Sequence, residues 1–183
     1  MSKFFVAFSV VCLLFVLATT AYGQDATLTI RSRYGSPDPT VGRHTYTLGT
    51  EITASVESPV SGSPGIRYNC TGYRARGSPE TLDPEGTENS VTFTITMNTT
   101  ITWRWSTQYE LTTAVSPEGS GTIDVSPTSE DGYYDAKSTI TLTANENEGW
   151  DFSYWTGGLR GITNPQNLLL RGPRTVTANY IPE

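Results

Sequence analysis

The chain has 183 residues, of which 18 are acidic and 12 basic, and it contains only two cysteines. An acidic composition disfavours nucleic acid and anionic membrane surfaces as partners, because both attract basic patches. An intramolecular disulfide could join only Cys12 and Cys70. Cys12 lies in a segment that we expect to be removed, so the mature fold must rest on its hydrophobic core.

Residues 1–23 have the composition of a secretory signal peptide. An almost wholly apolar stretch from Phe4 to Ala21 follows Lys3. The segment Ala21-Tyr22-Gly23 then provides small residues at the −3 and −1 positions of a signal-peptidase site. We predict cleavage between Gly23 and Gln24, and therefore a secreted or extracytoplasmic protein that is released or associated with the cell surface.

Two other interpretations of this segment remain open. About 18 apolar residues can span a bilayer, so an uncleaved anchor helix is the alternative. A lipoprotein signal is disfavoured, because Val11 stands where a small residue should precede the modified cysteine, Cys12. Cleavage removes Lys3 and leaves 11 basic against 18 acidic residues, a net charge of −7. No second apolar stretch follows, so we expect no membrane span after cleavage.

The remaining sequence is typical of β-strands. Segments rich in Thr, Val, Ile and aromatic residues alternate between apolar and polar side chains, which indicates strands with one buried and one solvated face. These segments are residues 26–30, 50–56, 90–96, 100–105, 110–115, 121–125, 138–144 and 174–180. Clusters of Gly, Pro, Ser and Asp between them indicate turns. Long segments of helical periodicity are missing, so we predict an all-β fold.

The sequence also repeats itself. Three stretches of the first half align with three of the second half, and together they predict two tandem small β-domains at residues 24–105 and 106–183. The aligned pairs are Tyr46, Ile52 and Ala54 with Tyr134, Ile140 and Leu142; Thr71-Gly72 with Thr156-Gly157; and residues 100–105 with 175–180. A repeat of this length exceeds a solenoid unit. Residues 106–109 join the copies without a flexible linker, so we expect the copies to pack rigidly.

The second copy resembles the divergent B-repeat of internalin-type bacterial surface proteins, also called a bacterial repeat domain. The resemblance covers residues 109–181. The matching elements, in order, are Tyr109-Glu-Leu-Thr, Pro117-Glu-Gly-Ser-Gly-Thr-Ile, Val125-Ser-Pro, Tyr134, the strand at 139–144, Gly149-Trp-Asp-Phe-Ser-Tyr-Trp-Thr-Gly-Gly, Asn164-Pro165 and a closing Thr-Val-Thr-Ala-Asn-Tyr. The first copy departs from this pattern, with Cys70 where the alignment has Trp155 and with an insertion at 77–89.

This resemblance implies a small β module, grasp-like or sandwich-like, that occurs in tandem in secreted and cell-surface proteins. It implies a spacer or an adhesive element rather than an enzyme, and it brings no shared catalytic residues. The chain ends at Glu183, directly after a predicted strand, which fits either a compact free protein or a fragment of a larger one.

The sequence shows no catalytic or metal-binding cluster. Cys70 and His44 form the one Cys/His combination of the mature chain, and the residues around Cys70 do not resemble a nucleophile elbow. One Cys and one His make a zinc site improbable. We predict no cofactor and no metal, and whether calcium binds stays open. Carboxylates in turns and at strand ends could in principle serve glycoside hydrolysis or calcium binding. They are Asp124, Asp131, Asp135, Glu146, Glu148 and Asp151.

Cys70 could be a small buried hydrophobe, an intermolecular bridge or a reactive thiol. Among the tryptophans, Trp103 and Trp105 share a strand face with Ile101 and are predicted to lie in the core.

Exposed aromatic rings could instead bind a glycan. The candidates are Trp150, Tyr154 and Trp155, with Phe152 as a neighbour. We therefore carry two hypotheses for function. The first is a non-catalytic exported β-repeat protein that acts as a spacer or as an adhesion module toward a protein or glycan. The second is a carbohydrate-binding module that uses these three rings. An enzyme ranks third, and the oligomeric state is open.

Overall fold

The structure is a computed structural model that describes residues 23–183. The predicted signal peptide, with its anchor and lipoprotein alternatives, lies outside the described residues except for Gly23. The described part consists of strands and contains no helix, which confirms the all-β prediction. Accordingly, residues 23–183 hold no helix that could cross a membrane. The carbonyl of Gln24 accepts a hydrogen bond from the N–H of Leu48 at 2.8 Å, so the predicted first residue of the mature chain is already paired.

Fourteen strands form in the described part. They are β1 (Asp25–Arg31), β2 (Gly42–Thr47), β3 (Glu51–Ser55), β4 (Val60–Ser61), β5 (Ile66–Arg76), β6 (Glu85–Gly86), β7 (Ser90–Thr94), β8 (Thr99–Ser116), β9 (Gly121–Ser126), β10 (Tyr133–Asp135), β11 (Thr139–Glu146), β12 (Trp150–Gly157), β13 (Gln166–Leu169) and β14 (Arg174–Pro182). The two predicted strands at 100–105 and 110–115 are parts of one strand, β8, and residues 106–109 continue it.

β8 is the central strand of the largest sheet. This sheet contains the order β12-β14-β8-β1-β2, and β5 and β10 also pair with β8. The N-terminal part of β8 lies between β1, which is parallel to it, and β5, which is antiparallel. Its C-terminal part pairs with β14 in parallel and, over a short stretch, with β10. One strand therefore belongs to both halves of the molecule.

Two hydrophobic cores lie on the two parts of this sheet. The first contains side chains of β1 and β8, such as Leu28 and Ile101, packed against Ile52 and Phe93 from the small sheet β3-β7. The second contains side chains of β14, such as Val176, packed against residues from the sheet β13-β11-β9. Each core is thus enclosed by two sheets, as in the sandwich-like alternative. The division into two domains at residue 105 stays a prediction, because β8 crosses it.

Corresponding bulges occur in the two halves. β5 is irregular between Cys70, which faces Trp105, and Gly72, which faces Arg104. β12 is irregular between Phe152, which faces Tyr180, and Tyr154, which faces Asn179. Trp105 and Tyr180 are aligned in the repeat, and the residue before each bulge faces one of them. The two bulges therefore lie at equivalent positions of the two halves.

This register corrects part of the sequence alignment. Cys70 lies in the place of Phe152, and Tyr73 lies in the place of Trp155, whereas the alignment had set Cys70 against Trp155. Tyr73 faces Trp103 across the sheet, and Trp155 faces Ala178. The tryptophan ring therefore comes from β8 in one half and from β12 in the other. Trp103 is buried, as predicted.

Candidate interaction site

Trp155, one of the three predicted ligand-binding rings, is buried. It is 1 % exposed and lies in the second core. Its indole Nε1–H donates to the carbonyl of Thr163 at 2.9 Å, and its ring centroid lies 5.1 Å from that of Phe152. A buried indole whose polar group is already satisfied is a packing residue.

The other two rings lie on opposite faces of β12. Trp150 is half-buried and packs against the second core, whereas Tyr154 is 45 % exposed. The bulge after Phe152 changes the alternation, so that Tyr154 faces solvent and the next residue, Trp155, faces the core. The structure therefore does not bring the three rings together on one exposed surface.

The Cys70–His44 pair is not assembled either. Cys70 lies on β5 and His44 on β2, and β8 and β1 lie between these strands. Three strand spacings separate them by about 14 Å across the sheet, and an offset of six residues along β8, from Thr99 to Trp105, adds about 20 Å along the strands. His44 instead contacts the carbonyl of Thr40 at 2.7 Å. Cys70 is free and half-buried, and burial raises the pKa of its thiol.

The predicted carboxylates are dispersed. Asp124 accepts a hydrogen bond from Asn145, Asp135 from Ser106 and Gln108, and Glu146 from the N–H of Phe152. Within residues 23–183, no group of three or more His, Cys, Asp or Glu side chains could hold a metal ion. These three carboxylates therefore act as structural acceptors, Asp124 within β9 and the other two at the ends of β10 and β11.

Polar contacts concentrate where the two halves meet. Arg67 on β5 forms an ion pair with Asp131 and donates from Nε to Gln108 at 2.7 Å. Its guanidinium carbon lies 4.2 Å from the centroid of the Tyr133 ring. The guanidinium and the N–H of Tyr133 together hold the pKa of Asp131 at about 2. One arginine thus links the first half to β8 and to the 129–133 segment of the second half.

Side-chain hydrogen bonds and aromatic rings reinforce this junction. Asp135 on β10 accepts hydrogen bonds from Ser106 and Gln108 of β8, both at 3.1 Å. On the first half, the rings of Tyr34 and Tyr68 stack with centroids 3.6 Å apart. Trp105 packs edge-on against Tyr34. Hydrogen-bonded strands and packed rings therefore surround the middle of β8.

Beyond this junction, one edge of β8 becomes free. The N–H of Leu111 still donates to the carbonyl of Gly132 at 2.9 Å, but β10 covers β8 no farther. In the antiparallel register, the backbone groups of Tyr109 and Leu111 face β10, whereas that of Glu110 faces the other side and bonds Gly65. The N–H and C=O of Thr113 and Val115 must then face the free edge. No partner for them occurs among the described residues.

A groove of about 470 Å³ lies along this free edge. Its lining combines apolar side chains with hydroxyl groups and one carboxylate. The lining residues are Leu111, Thr113, Ile123, Asp124, Val125, Thr128, Ser129, Gly132 and Tyr134. A smaller cavity of about 220 Å³ continues it past Ala114 and Val115.

The groove exists because β9 pairs with β11 of the facing sheet and not with β8. Sequence reasoning identified β9 as a strand but could not give its partner. The sequence feature that could have indicated this groove is Thr113, a polar residue at a position where the first half has the buried Ile30.

The comparisons with known proteins agree with the resemblance found in the sequence. No curated protein and no solved structure matches the chain. The family model of the divergent InlB B-repeat domain, a repeat domain of exported and surface proteins, matches residues 111–183. This match confirms, for the C-terminal part of the chain, the predicted resemblance to the divergent B-repeat family.

Proposed function

We propose that this protein is a non-catalytic, exported repeat module that acts as one stiff body, serving as a spacer or as a contact surface for another protein. The observation that carries the proposal is β8, an 18-residue strand that pairs with β1 and β5 in one half and with β14 in the other. At about 3.3 Å per residue, it extends for about 60 Å.

A strand paired on both sides resists bending in the plane of its sheet, because bending would break ladder hydrogen bonds. A flexible linker would instead have exposed, unpaired backbone. Residues 106–109 face β5 on one side, and residues 108–110 face β10 on the other. We therefore expect the two halves to keep a fixed relative orientation in solution.

Small-angle X-ray scattering tests this stiffness. The fragment 24–183 should give the scattering curve calculated for one rigid shape. The comparison variant carries a flexible glycine–serine segment inserted between Ser106 and Thr107, and it should show a broader distance distribution. If the native fragment and this variant scatter alike, the halves are already mobile and the proposal fails.

Export is a separate part of the proposal. Residues 1–23 support it through their composition, and the B-repeat family is typical of exported and surface proteins. The full chain, expressed in a bacterium with a general secretory pathway, should appear outside the cytoplasm with Gln24 at its N-terminus. Intact-mass spectrometry of the fractionated cells distinguishes this from an uncleaved chain that begins at Met1.

The carbohydrate-binding hypothesis has less support. Among its three predicted rings, Tyr154 is 45 % exposed, but Trp155 is buried and Trp150 packs against the second core, so that Tyr154 has no exposed neighbour from that set. A protein partner fits better, because the free edge of β8 offers backbone donors and acceptors beside a groove with apolar and polar side chains.

A further inference from the structure

We propose that the free edge of β8 between Thr112 and Ser116 accepts an extended, basic segment of a partner protein as an additional antiparallel strand. The proposal rests on the proposed function, because it names the partner chemistry of the contact surface. Addition of a strand to a sheet edge is a general mode of peptide recognition. In it, main-chain hydrogen bonds supply affinity and pockets for alternate side chains supply selectivity.

The first half of the molecule shows what covers the corresponding edge. There, β2 pairs antiparallel with β1 from Asp25 to Ile30, and β1 ends one residue later. In the second half, β10 pairs with β8 only from Gln108 to Glu110, although β8 continues to Ser116. Through the alignment of Tyr46 with Tyr134, residues 25–30 correspond to 108–113, so the second half lacks the cover over 111–113. β8 then continues beyond the counterpart of β1 to Ser116, which leaves room for a short extended peptide.

Backbone geometry determines how many hydrogen bonds this edge can form with a partner strand. The groups of Thr113 and Val115 point outward, whereas those of Thr112, Ala114 and Ser116 point toward β14, with which β8 pairs. A partner strand in register would satisfy two donors and two acceptors. Unprotected edge strands tend to pair with other chains, and proteins often prevent this with a charged residue or a proline on the strand. Residues 112–115 contain neither.

The groove selects the side chains. The apolar part of its lining is formed by Leu111, Ile123, Val125 and Tyr134, and alternate residues of an added strand could cover it. β-Branched side chains suit such a half-buried position. We therefore expect the inward-facing residues of the partner segment to be valine, isoleucine or threonine.

Charge around the groove indicates a basic partner. Asp124 lines the groove, and the residues lining it and the adjoining cavity include no lysine or arginine. The flanking segments contribute Glu118 and Glu130, and the sequence from 111 to 136 contains no basic residue. A second copy of the mature chain, with its net charge of −7, would be repelled from this surface. Lysine or arginine in a partner strand would instead be attracted to this acidic surface.

Amide hydrogen exchange followed by NMR tests the proposal on fragment 24–183. The probe is an acetylated, amidated heptapeptide of alternating lysine and valine. With the peptide, exchange at the amides of Thr113 and Val115 should slow by at least about tenfold, because a hydrogen-bonded amide exchanges only on opening. Thr112 and Ala114 are internal controls on the same strand, since their amides face β14 and should be protected with or without peptide.

Variants and a second peptide complete the test. Val115→Pro removes a backbone N–H that faces the free edge, and edge strands tolerate proline at such a position. This variant should weaken peptide binding about tenfold. Asp124→Asn keeps the shape of the groove and should weaken binding about threefold, whereas Asp151→Asn, an exposed carboxylate on β12, should leave it unchanged. The same peptide with glutamate in place of lysine should bind at least about threefold more weakly.

Three results would overturn the proposal: no protection at Thr113 and Val115, equal binding of the lysine and glutamate peptides, or unchanged binding by Val115→Pro. Dimerisation of the fragment alone, abolished by Val115→Pro in sedimentation experiments, would also overturn it by assigning the edge to a second copy. None of these results affects the scattering test of stiffness, so failure of the edge proposal is separable from failure of the proposed function.

Discussion

Gly49 and Lys137 occupy the same place in the two halves of the molecule. Both have positive φ, 89° for Gly49 and 70° for Lys137. Each donates its N–H to a carbonyl at the end of a strand of the smaller sheet, that of Ile95 in the first half and that of Leu170 in the second. The same tight turn is thus built once with glycine and once with lysine.

This equivalence predicts opposite effects of two substitutions. Gly49→Ala should lower the free energy of unfolding by about 1 kcal/mol, because a side chain disfavours the left-handed region. No atom lies within 4 Å of an added Cβ, so the cost is conformational and not steric. Lys137→Gly should raise the free energy of unfolding by about 0.5 kcal/mol, since relief of this strain exceeds the added chain entropy. Urea titration measures both, and a clear loss of stability in Lys137→Gly would contradict the interpretation.

The burial of Trp155 predicts a structural and not a binding role. Trp155→Ala should destabilise the fold by about 3–5 kcal/mol, because it leaves a large cavity in the second core. Tyr154→Ala, on the outer face of the same strand, should change stability by no more than about 0.5 kcal/mol. Trp155→Phe serves as a milder variant if the alanine variant does not fold. Equal effects of Trp155→Ala and Tyr154→Ala in chemical denaturation would show that Trp155 is not in the core.

The ion pair between Arg67 and Asp131 predicts a loss of stability in acid. Hydrogen bonds from Arg67 and from the N–H of Tyr133 lower the pKa of Asp131 from 3.8 to about 2. Because the folded-state pKa is depressed, the contribution is complete above about pH 4 and is lost as the pH falls toward 2. Since the pair is solvent-exposed, high salt should reduce the effect. Asp131→Asn should flatten this part of the stability–pH curve, whereas an unaltered curve would show that the pair is not formed.

The environment of Cys70 predicts slow thiol chemistry. Burial raises the pKa of this thiol, although its contact with Gly72 acts in the opposite direction. Less thiolate is then present near neutral pH, and access to the sulfur is restricted. Iodoacetamide at pH 7.5 should therefore modify Cys70 several-fold more slowly in the native protein than in the protein unfolded in urea. Equal rates would identify an exposed, reactive thiol.

Strands with uninterrupted alternation were predictable from sequence. Residues 26–30 and 138–144, for example, alternate without a break and correspond to β1 and β11. β5 and β12 were not recognised as strands, and each contains a bulge. A bulge inserts one residue and exchanges the buried and exposed positions beyond it, so the period of two is lost. The misplacement of Cys70 against Trp155 has another cause, because both strands carry the same inserted residue. It came from aligning the dipeptide Thr-Gly, which occurs at 71–72 and at 156–157.

The candidate site could not be predicted in the same way. Thr113 is an ordinary strand residue in the sequence, and its exposed backbone follows from the pairing of β9 with β11. Strand pairing is a non-local property that side-chain alternation does not specify. The three aromatic rings proposed to bind a glycan could not be placed from the sequence for a related reason. The bulge in β12 decides which of Tyr154 and Trp155 faces solvent.

The central claim, that β8 makes the two halves one stiff body, is tested most directly by a distance measured between them. Spin labels at Glu51→Cys and Asp151→Cys, both exposed strand positions, would be placed on fragment 24–183 with Cys70→Ser. Pulsed electron paramagnetic resonance should give one narrow distance distribution, unchanged between low and high salt. A broad or bimodal distribution would contradict the account, because it would mean that the halves move independently about residues 106–109.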